Sequence, residues 1–225
     1  MHKYKLISMD KHTGITRTLR FQPTDVGIGT QKPGQFVFLH ILDEQGNSIS
    51  KKPYSIASSP GSEYLEFFIK MVQGQVTGKL EQLKIGDEVG VEGPFGHFVY
   101  ENQGNTVFVG AGTGIAPFIG MARHISKNKI AGEHILFYSV KTQKDLAYRK
   151  ELESFGNIKT VITLTQEKWA GETGRISKEM LQKYIKHPEN ANWWICGPME
   201  MVKLIREMVV QLGVDPKKIK MEGWG

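Results

Sequence analysis

The chain has 225 residues, enough for one large domain or two small ones, and its 40% apolar and 23% charged residues are those of an ordinary globular protein. Its apolar runs are too short for a membrane-spanning helix, Met1–Lys5 lacks the apolar core of a secretory signal, and one cysteine, Cys196, excludes an internal disulfide, a protein-held iron–sulfur cluster and a Cys-cluster zinc site, all of which points to the cytoplasm. The net charge of +6 permits nucleic-acid binding, but the lysines are scattered with no nucleic-acid motif beside them, which leaves solubility or the steering of acidic protein partners.

The first hundred residues read as all-β. Alternating or β-branched segments recur at Tyr4–Ser8, Gly14–Phe21, Gln35–Ile41, Tyr54–Ala57, Leu65–Val72 and Glu88–Gly93, parted by Gly, Pro, Asp and Asn, with Thr77–Leu83 as the one helical piece. Several short strands with one small helix predict a closed antiparallel barrel over residues 1–100. Glu101-Asn102-Gln103-Gly104-Asn105 is a turn cluster and reads as a linker. Beyond it strand-like and helical runs alternate. Thr106–Val109 leads to a helix from Pro117, His134–Tyr138 to Leu146–Ser154, Lys159–Thr165 to Ser177–Tyr184, and Trp193–Cys196 to Met199–Leu212. This β-α repeat predicts a doubly wound parallel sheet over residues 101–225.

Four stretches carry chemistry. The run Gly110-Ala111-Gly112-Thr113-Gly114-Ile115-Ala116-Pro117 turns from a strand into a helix, so its free amides and the helix dipole converge on one point, as a phosphate requires. Glycines in such turns serve packing alone as readily. Pro117 stands where a dinucleotide fingerprint has its third glycine, and proline in a first helical turn gives up only an N–H without an intrahelical acceptor. A side chain at Gly114 is expected to obstruct the approach of a nucleotide to the backbone. Lys52-Pro53-Tyr54-Ser55-Ile56-Ala57-Ser58 sets a cation, an aromatic ring and a hydroxyl within four residues, with Lys52 and Tyr54 on one strand face. A flavin needs such a set, although proline, tyrosine and serine are also common structural residues at a strand start. Gly74-Gln75-Val76-Thr77 precedes the short helix; there Thr77 reads first as an N-cap and second as a pyrophosphate ligand. Cys196-Gly197-Pro198-Met199 closes a strand and opens a helix at the sheet edge where such folds bind ligands, though a lone cysteine is most often plain core. The seven histidines lack metal-ligand spacing, so no metal is expected, and no Ser/His/Asp triad is evident.

Taken in order, these segments resemble the ferredoxin–NADP reductase superfamily of flavoproteins over essentially the whole chain. Lys52–Ser58 is similar to its R-x-Y-S-x-x-S motif, Gly74–Thr77 to G-x-x-S/T, Gly112–Pro117 to G-x-G-x-x-P, and Cys196–Pro198 to C-G-P; Glu222-Gly223-Trp224 resembles the acid-plus-aromatic ending of some members. The resemblance implies an FAD-binding barrel followed by an NAD(P)-binding domain, with hydride passing from NAD(P)H to flavin N5 in a crevice between them. It implies a cofactor set of Lys52, Pro53, Tyr54 against the ring, Ser55 near N5, Phe68, Ile69, Lys70, Gly74, Val76 and Thr77 for FAD. For the nicotinamide nucleotide it implies Gly112, Thr113, Gly114, Pro117, Lys141, Arg175, Cys196, Gly197, Pro198 and Met199. Ser55, Cys196, Glu222 and Trp224 are the implied catalytic residues, with Cys196 shaping the hydride path rather than attacking, and Trp224 stacking on the exposed flavin face unless the end is frayed.

Lys52 departs from the family's arginine: it keeps the charge and loses the bidentate fork, which implies weaker or exchangeable FAD. Lys141, Lys144 and Arg175 favour NADPH over NADH, and so does the lack of an acid immediately after the second strand, Asp145 coming several residues later; an arginine of the NADPH-using relatives is absent near Gln166. Three activities follow as expectations. The first is reduction of a small acidic ferredoxin or flavodoxin, which the positive charge favours. The second is an NAD(P)H:free-flavin or ferric-chelate reductase, which Lys52 favours. The third is a non-catalytic flavin-binding regulatory protein. Oligomeric state is left open.

Overall fold

The computed structural model describes residues 1–101 and 104–224, so Asn102 and Gln103 of the expected linker, with Gly225, lie outside the described residues. Its contacts divide the chain into two compact units, Met1–Tyr100 with Ile119–His124, and Glu101–Phe118 with Ile125–Gly225.

The first unit is a six-stranded antiparallel sheet. Its strands are β1 (His2–Lys11), β2 (Thr16–Pro23), β3 (Phe36–Leu42), β4 (Ser48–Ser55), β5 (Leu65–Lys70) and β6 (Glu88–Phe95), in the order β4-β3-β6-β1-β2-β5, with helix α1 (Thr77–Gln82) after β5. Alternation decides which side chains go in. On β3, Val37, Leu39 and Ile41 are buried while Phe36 and Phe38 point the other way; Tyr4 and Leu6 of β1, Leu19 and Phe21 of β2, and Val89 and Val91 of β6 join the same core. The sequence predicts a strand over Tyr54–Ala57 alone. β4 instead starts at Ser48 and ends at Ser55, and its first half is largely exposed on both faces, so it carries no apolar alternation to read.

The second unit is a six-stranded parallel sheet. β7 (Thr106–Ala111) leads through a 3-10 turn at Gly112–Ile115 to α2 (Ala116–Lys127), and β8 (His134–Val140) leads to α3 (Arg149–Ser154). β9 (Ile158–Leu164), the two-residue β10 (Glu172–Thr173), α4 (Lys178–Tyr184), β11 (Asn192–Pro198), α5 (Met199–Gln211) and β12 (Ile219–Trp224) follow. The order β10-β9-β8-β7-β11-β12 places the reversal of winding at the β7/β11 pair, the position beyond whose strand ends open α/β sheets bind their ligands. β7 is buried along nearly its whole length, as a central parallel strand covered on both faces must be. Two expectations change here. The helix expected from Leu146 begins at Arg149, because Tyr148 takes a left-handed conformation (φ 58°) that no helix interior accepts. The C-terminal residues are not frayed: β12 pairs in parallel with β11 from Trp193↔Ile219 to Pro198↔Trp224. Among the described residues no helix is long and apolar enough to cross a membrane.

Candidate functional site

In the first unit, β4 lies along β3 with Tyr54 opposite Val37, Lys52 opposite Leu39, Ser55 opposite Phe36 and Pro53 opposite Phe38. Lys52 and Tyr54 therefore share the side of the buried Val37 and Leu39, and Pro53 and Ser55 the other. The two adjacent lysines have different fates. Lys51 donates to Glu92 at 2.8 Å and lies 4.6 Å from the centre of the Phe38 ring, whereas Lys52 is exposed and makes no ion pair among the described residues. The Tyr54 hydroxyl is buried with no hydrogen-bond partner among the described residues, and that burial pushes its pKa up to about 12. An orphaned buried hydroxyl is costly unless something else bonds it. An aromatic ring with an unmet hydroxyl, next to a cation without an ion pair, is the donor set of a site for a planar, anionic group, so these residues fit a flavin nucleotide. Nothing among the described residues bonds the Ser55 hydroxyl.

The segment that follows is built differently from expectation. Val76, not Thr77, is the N-cap of α1 and offers no side-chain cap; its side chain is buried in the barrel core, so only its main chain can face a ligand. Thr77 is the first helical residue, and its hydroxyl donates back to the Val72 carbonyl. The sequence cannot show this tie, because a threonine beside a glycine turn suits either position. Gly74 donates to Val72 as well (2.6 Å), which tightens the turn that delivers the amides of Gln75, Val76 and Thr77, none of which has a residue four back in the helix to accept it. On β5, Phe68 is buried edge-on to His12 (5.5 Å) and Lys70 is exposed, but the Ile69 side chain packs in the core and cannot reach a ligand.

In the second unit, Gly112 needs its glycine: its φ of +53° is left-handed, and a Cβ there would meet nothing within 4 Å. Gly112 thus borders open space at the start of the 3-10 turn that leads into α2, where the first amides have no residue one turn back to accept them, and Pro117 is buried in the first turn of α2. That open concavity of amides fits a phosphate. Gly114 has another reason to be glycine. A Cβ there would collide with the Cys196 carbonyl oxygen and stand 2.7 Å from its carbonyl carbon and 3.0 Å from the Gly197 Cα. Besides any clearance it gives a nucleotide, the bare Cα of Gly114 lets the loop rest on the end of β11.

That strand end carries the remaining groups. Cys196 is 1% exposed, and burial pushes its thiol well up, with Glu222 adding to the effect, so it is a protonated thiol and not a nucleophile. The register pairs Cys196 with Glu222, Gly197 with Gly223 and Pro198 with Trp224. Burial raises the Glu222 carboxyl above the usual range, and its Oε2 is buried without a hydrogen-bond partner among the described residues. Met199 sits against Gly223, where a Cβ would be 3.0 Å from the methionine methyl, and Trp224 is 44% exposed. The folded state thus keeps the Glu222 proton to a higher pH than the unfolded chain does, so stability declines as pH rises from the ordinary Glu range through the raised value. Glu222→Gln is expected to flatten that decline, read as denaturation midpoints at pH 5 and pH 8; an unchanged difference would mean that the carboxyl ionises freely in the fold.

Lys141 and Arg175 are exposed beyond the ends of β8 and β10 and make no ion pair among the described residues. Asp145 is committed to a cap, accepting from the Thr142 N–H (3.0 Å) and hydroxyl (2.8 Å). One acid escaped the sequence reading. Glu167 accepts from the Gln143 main chain (2.8 Å) and side chain (2.9 Å), and these bonds hold its carboxylate below the usual range. Its only sequence signal is an acid three residues past the third parallel strand.

Comparison with known proteins finds two families along the chain. A family model for an oxidoreductase FAD-binding domain matches residues 3–100, and one for an oxidoreductase NAD-binding domain matches residues 108–207. The gamma subunit of sulfhydrogenase 1 from Pyrococcus furiosus is 30% identical over 234 residues, covering 97% of this chain and 78% of that protein. One component of the Na(+)-translocating NADH-quinone reductase of Haemophilus influenzae is 28% identical over 169 residues, 68% of this chain; the match spans only 40% of that component's length. A ferredoxin NADP+ reductase from Neisseria gonorrhoeae, solved with bound FAD and NADP, has the same fold, with a TM-score of 0.85, 23% identity, and coverage of 98% of this chain and 97% of that one.

Proposed function

This chain belongs to the ferredoxin–NADP reductase superfamily of FAD- and NAD-binding oxidoreductases, and on that premise we propose that it oxidises NADPH and passes the electrons to a small acidic carrier protein, a ferredoxin or flavodoxin. The observation that carries this reading is the buried, unmet hydroxyl of Tyr54 on the strand that also presents Lys52 and Ser55. When bound, FAD supplies the hydride acceptor and the single-electron steps that no side chain here can perform.

The residues divide the remaining work. Residues 1–100 hold the flavin: Lys52 meets its pyrophosphate with the amides of Val76 and Thr77 at the Gly74 turn, Pro53, Phe68 and Lys70 border it, Tyr54 lies along its ring, and Ser55 offers a hydrogen bond to it. Residues 101–225 hold the nicotinamide nucleotide. Gly112 and Thr113 receive its phosphates, with Gly114 and Pro117 shaping that loop, and Lys141 and Arg175 meet a 2′-phosphate. Cys196, Gly197, Pro198 and Met199 floor the nicotinamide end. Glu222 places a carboxyl that burial makes harder to ionise beside the Cys196 thiol, and the exposed Trp224 side chain is the group that would stack on the flavin face. The positive charge suits an acidic protein partner, and the lone buried cysteine supports a cytoplasmic setting.

Two observations favour neighbouring readings. The single charge of Lys52 in place of a forked guanidinium favours loosely held FAD and a free-flavin reductase. Glu167, anionic beyond the third parallel strand, favours NADH. The first experiment is an absorbance spectrum of the purified protein followed by anaerobic titration with NADPH and NADH separately. Flavin bands bleached by NADPH support the proposal; a colourless protein that oxidises nucleotide only with added flavin supports the free-flavin reading. Bound flavin that neither nucleotide bleaches overturns both. In the same assay Lys141→Ala or Arg175→Ala is expected to raise KM for NADPH about tenfold, the loss of one charge-assisted hydrogen bond, and to leave KM for NADH unchanged. Equal effects on both nucleotides would remove these residues from the 2′-phosphate.

A further inference from the structure

The assigned chemistry makes no use of Glu66. This β5 residue has a wholly buried carboxylate, and two arginines share it. Nε of Arg20 on β2 donates to Oε2 at 2.7 Å, and Nη1 of Arg123 on α2 donates to Oε1 at 2.9 Å. The same Nη1 donates to the Ala57 carbonyl at 2.8 Å. Main-chain bonds close the ring: the Ala57 N–H donates to the Glu66 carbonyl (2.8 Å) and the Glu66 N–H to the Ser58 hydroxyl (3.2 Å). One turn before Arg123, on the same face of α2, stands Gly120. A Cβ there would lie 2.9 Å from the Ile56 carbonyl oxygen, 3.3 Å from that of Ser58 and 3.5 Å from that of Ala57. The glycine lets the helix backbone rest on these three peptides, and the arginine ties them down. All of these residues belong to the first unit.

Ile56–Ser58 continue directly from Tyr54 and Ser55, past the end of β4. Here the chain leaves β3, donating once more from Ile56 to the carbonyl of Gln35 just before that strand, and crosses to β5. A buried ion pair is weak as a source of stability and stronger as a device for fixing geometry. The planar guanidinium suits that use, because it can hold a carbonyl and a carboxylate at once. We propose that Arg123 is a positioning residue: with Gly120 and Glu66 it seats Ile56–Ser58 and thereby sets how Tyr54 and Ser55 are presented to the flavin. The proposal rests on the flavin reading of β4.

Arg123→Lys keeps the charge and loses the rigid planar head that holds Nη1 between the carbonyl and the carboxylate, and it is the variant to test in the full chain, with Arg123→Met beside it. In protein freed of cofactor, amide exchange at Ala57 and Glu66 is expected to rise about tenfold in Arg123→Lys, as when one charged hydrogen bond is lost, with the thermal midpoint near that of the parent. With cofactor, FAD binds about tenfold more weakly, the visible circular dichroism of the flavin changes, and kcat falls while KM for NADPH stays within about twofold. Asp10→Asn, which touches only the outer side of Arg20, leaves all four readouts unchanged. Exchange at Ala57 and Glu66 that rises only in step with the whole chain, with kcat and the dichroism unaltered, overturns the proposal and leaves Arg123 a structural residue. If the parent chain takes no FAD, the flavin reading falls by itself. Exchange at the two amides then still decides the seat, and unchanged protection in both Arg123 variants overturns it.

Discussion

Replacing Ser55 by alanine is expected to slow the reduction of bound flavin by NADPH about 10²–10³-fold, the usual cost of deleting one hydrogen-bond donor aimed at developing charge. The structure makes this a clean substitution. Ser55 ends β4 opposite Phe36, and its hydroxyl bonds nothing among the described residues, so its removal leaves no buried group unmet. Stability should stay within about 0.5 kcal/mol of the parent, as for a change that breaks no internal contact. Anaerobic stopped flow reads the rate and a thermal melt reads the fold. An unchanged rate constant would take Ser55 out of the reaction, and a large fall in melting temperature would mean that its hydroxyl serves the fold.

Gly114→Val has the second large effect, for a reason that differs from a blocked ligand path. The first added carbon meets the Cys196 carbonyl, which is main chain in the middle of a paired sheet and cannot swing aside. Either the loop lifts off β11 or the β7/β11 pair shifts. Overpacking of this kind costs about 1–3 kcal/mol or more, and the displaced loop takes the amides of Gly112 and Thr113 with it. Nucleotide affinity is expected to fall at least about tenfold together with the melting temperature, since a misplacement of an ångström at a positioned site is enough. Gly112→Ala separates the two causes. It meets open space and pays only for a left-handed backbone, about 1–2 kcal/mol. Loss of affinity in Gly114→Val with no loss of stability would show that packing against Cys196 is not what its glycine provides.

Both units were legible in the sequence because each announces its period. Val37, Leu39 and Ile41 alternate along a half-buried strand, while Val107–Val109 form a continuous apolar run entering a glycine turn, as a strand covered on both faces does. Where burial is absent the signal is absent too: Ser48–Pro53 lie on an exposed edge strand, and their serines, lysines and proline resemble a loop. β12 escaped because its partner is β11, more than twenty residues earlier, and parallel pairing leaves no hairpin turn to mark it. The site followed the same rule. Turns made by local backbone, at Gly112 and at Gly74, could be found by spacing. Roles set by distant chain could not: Gly114 answers to Cys196, Glu167 to Gln143, and Thr77 to a carbonyl five residues back.

The grouping of Ile119–His124 with residues 1–100 has a consequence for how this protein can be recombined. A cut at the sequence boundary near residue 100 looks natural, since all six antiparallel strands lie before it. A fragment ending there leaves behind the helical turn that covers Ile56–Ser58, and it leaves Glu66 with Arg20 but without Arg123. A chimaera that exchanges only the barrel sets a foreign strand against a native helix whose glycine and arginine were fitted to another backbone. The unit of exchange is therefore discontinuous. Any transplant of the flavin half into another reductase has to carry six residues from the middle of the next helix with it.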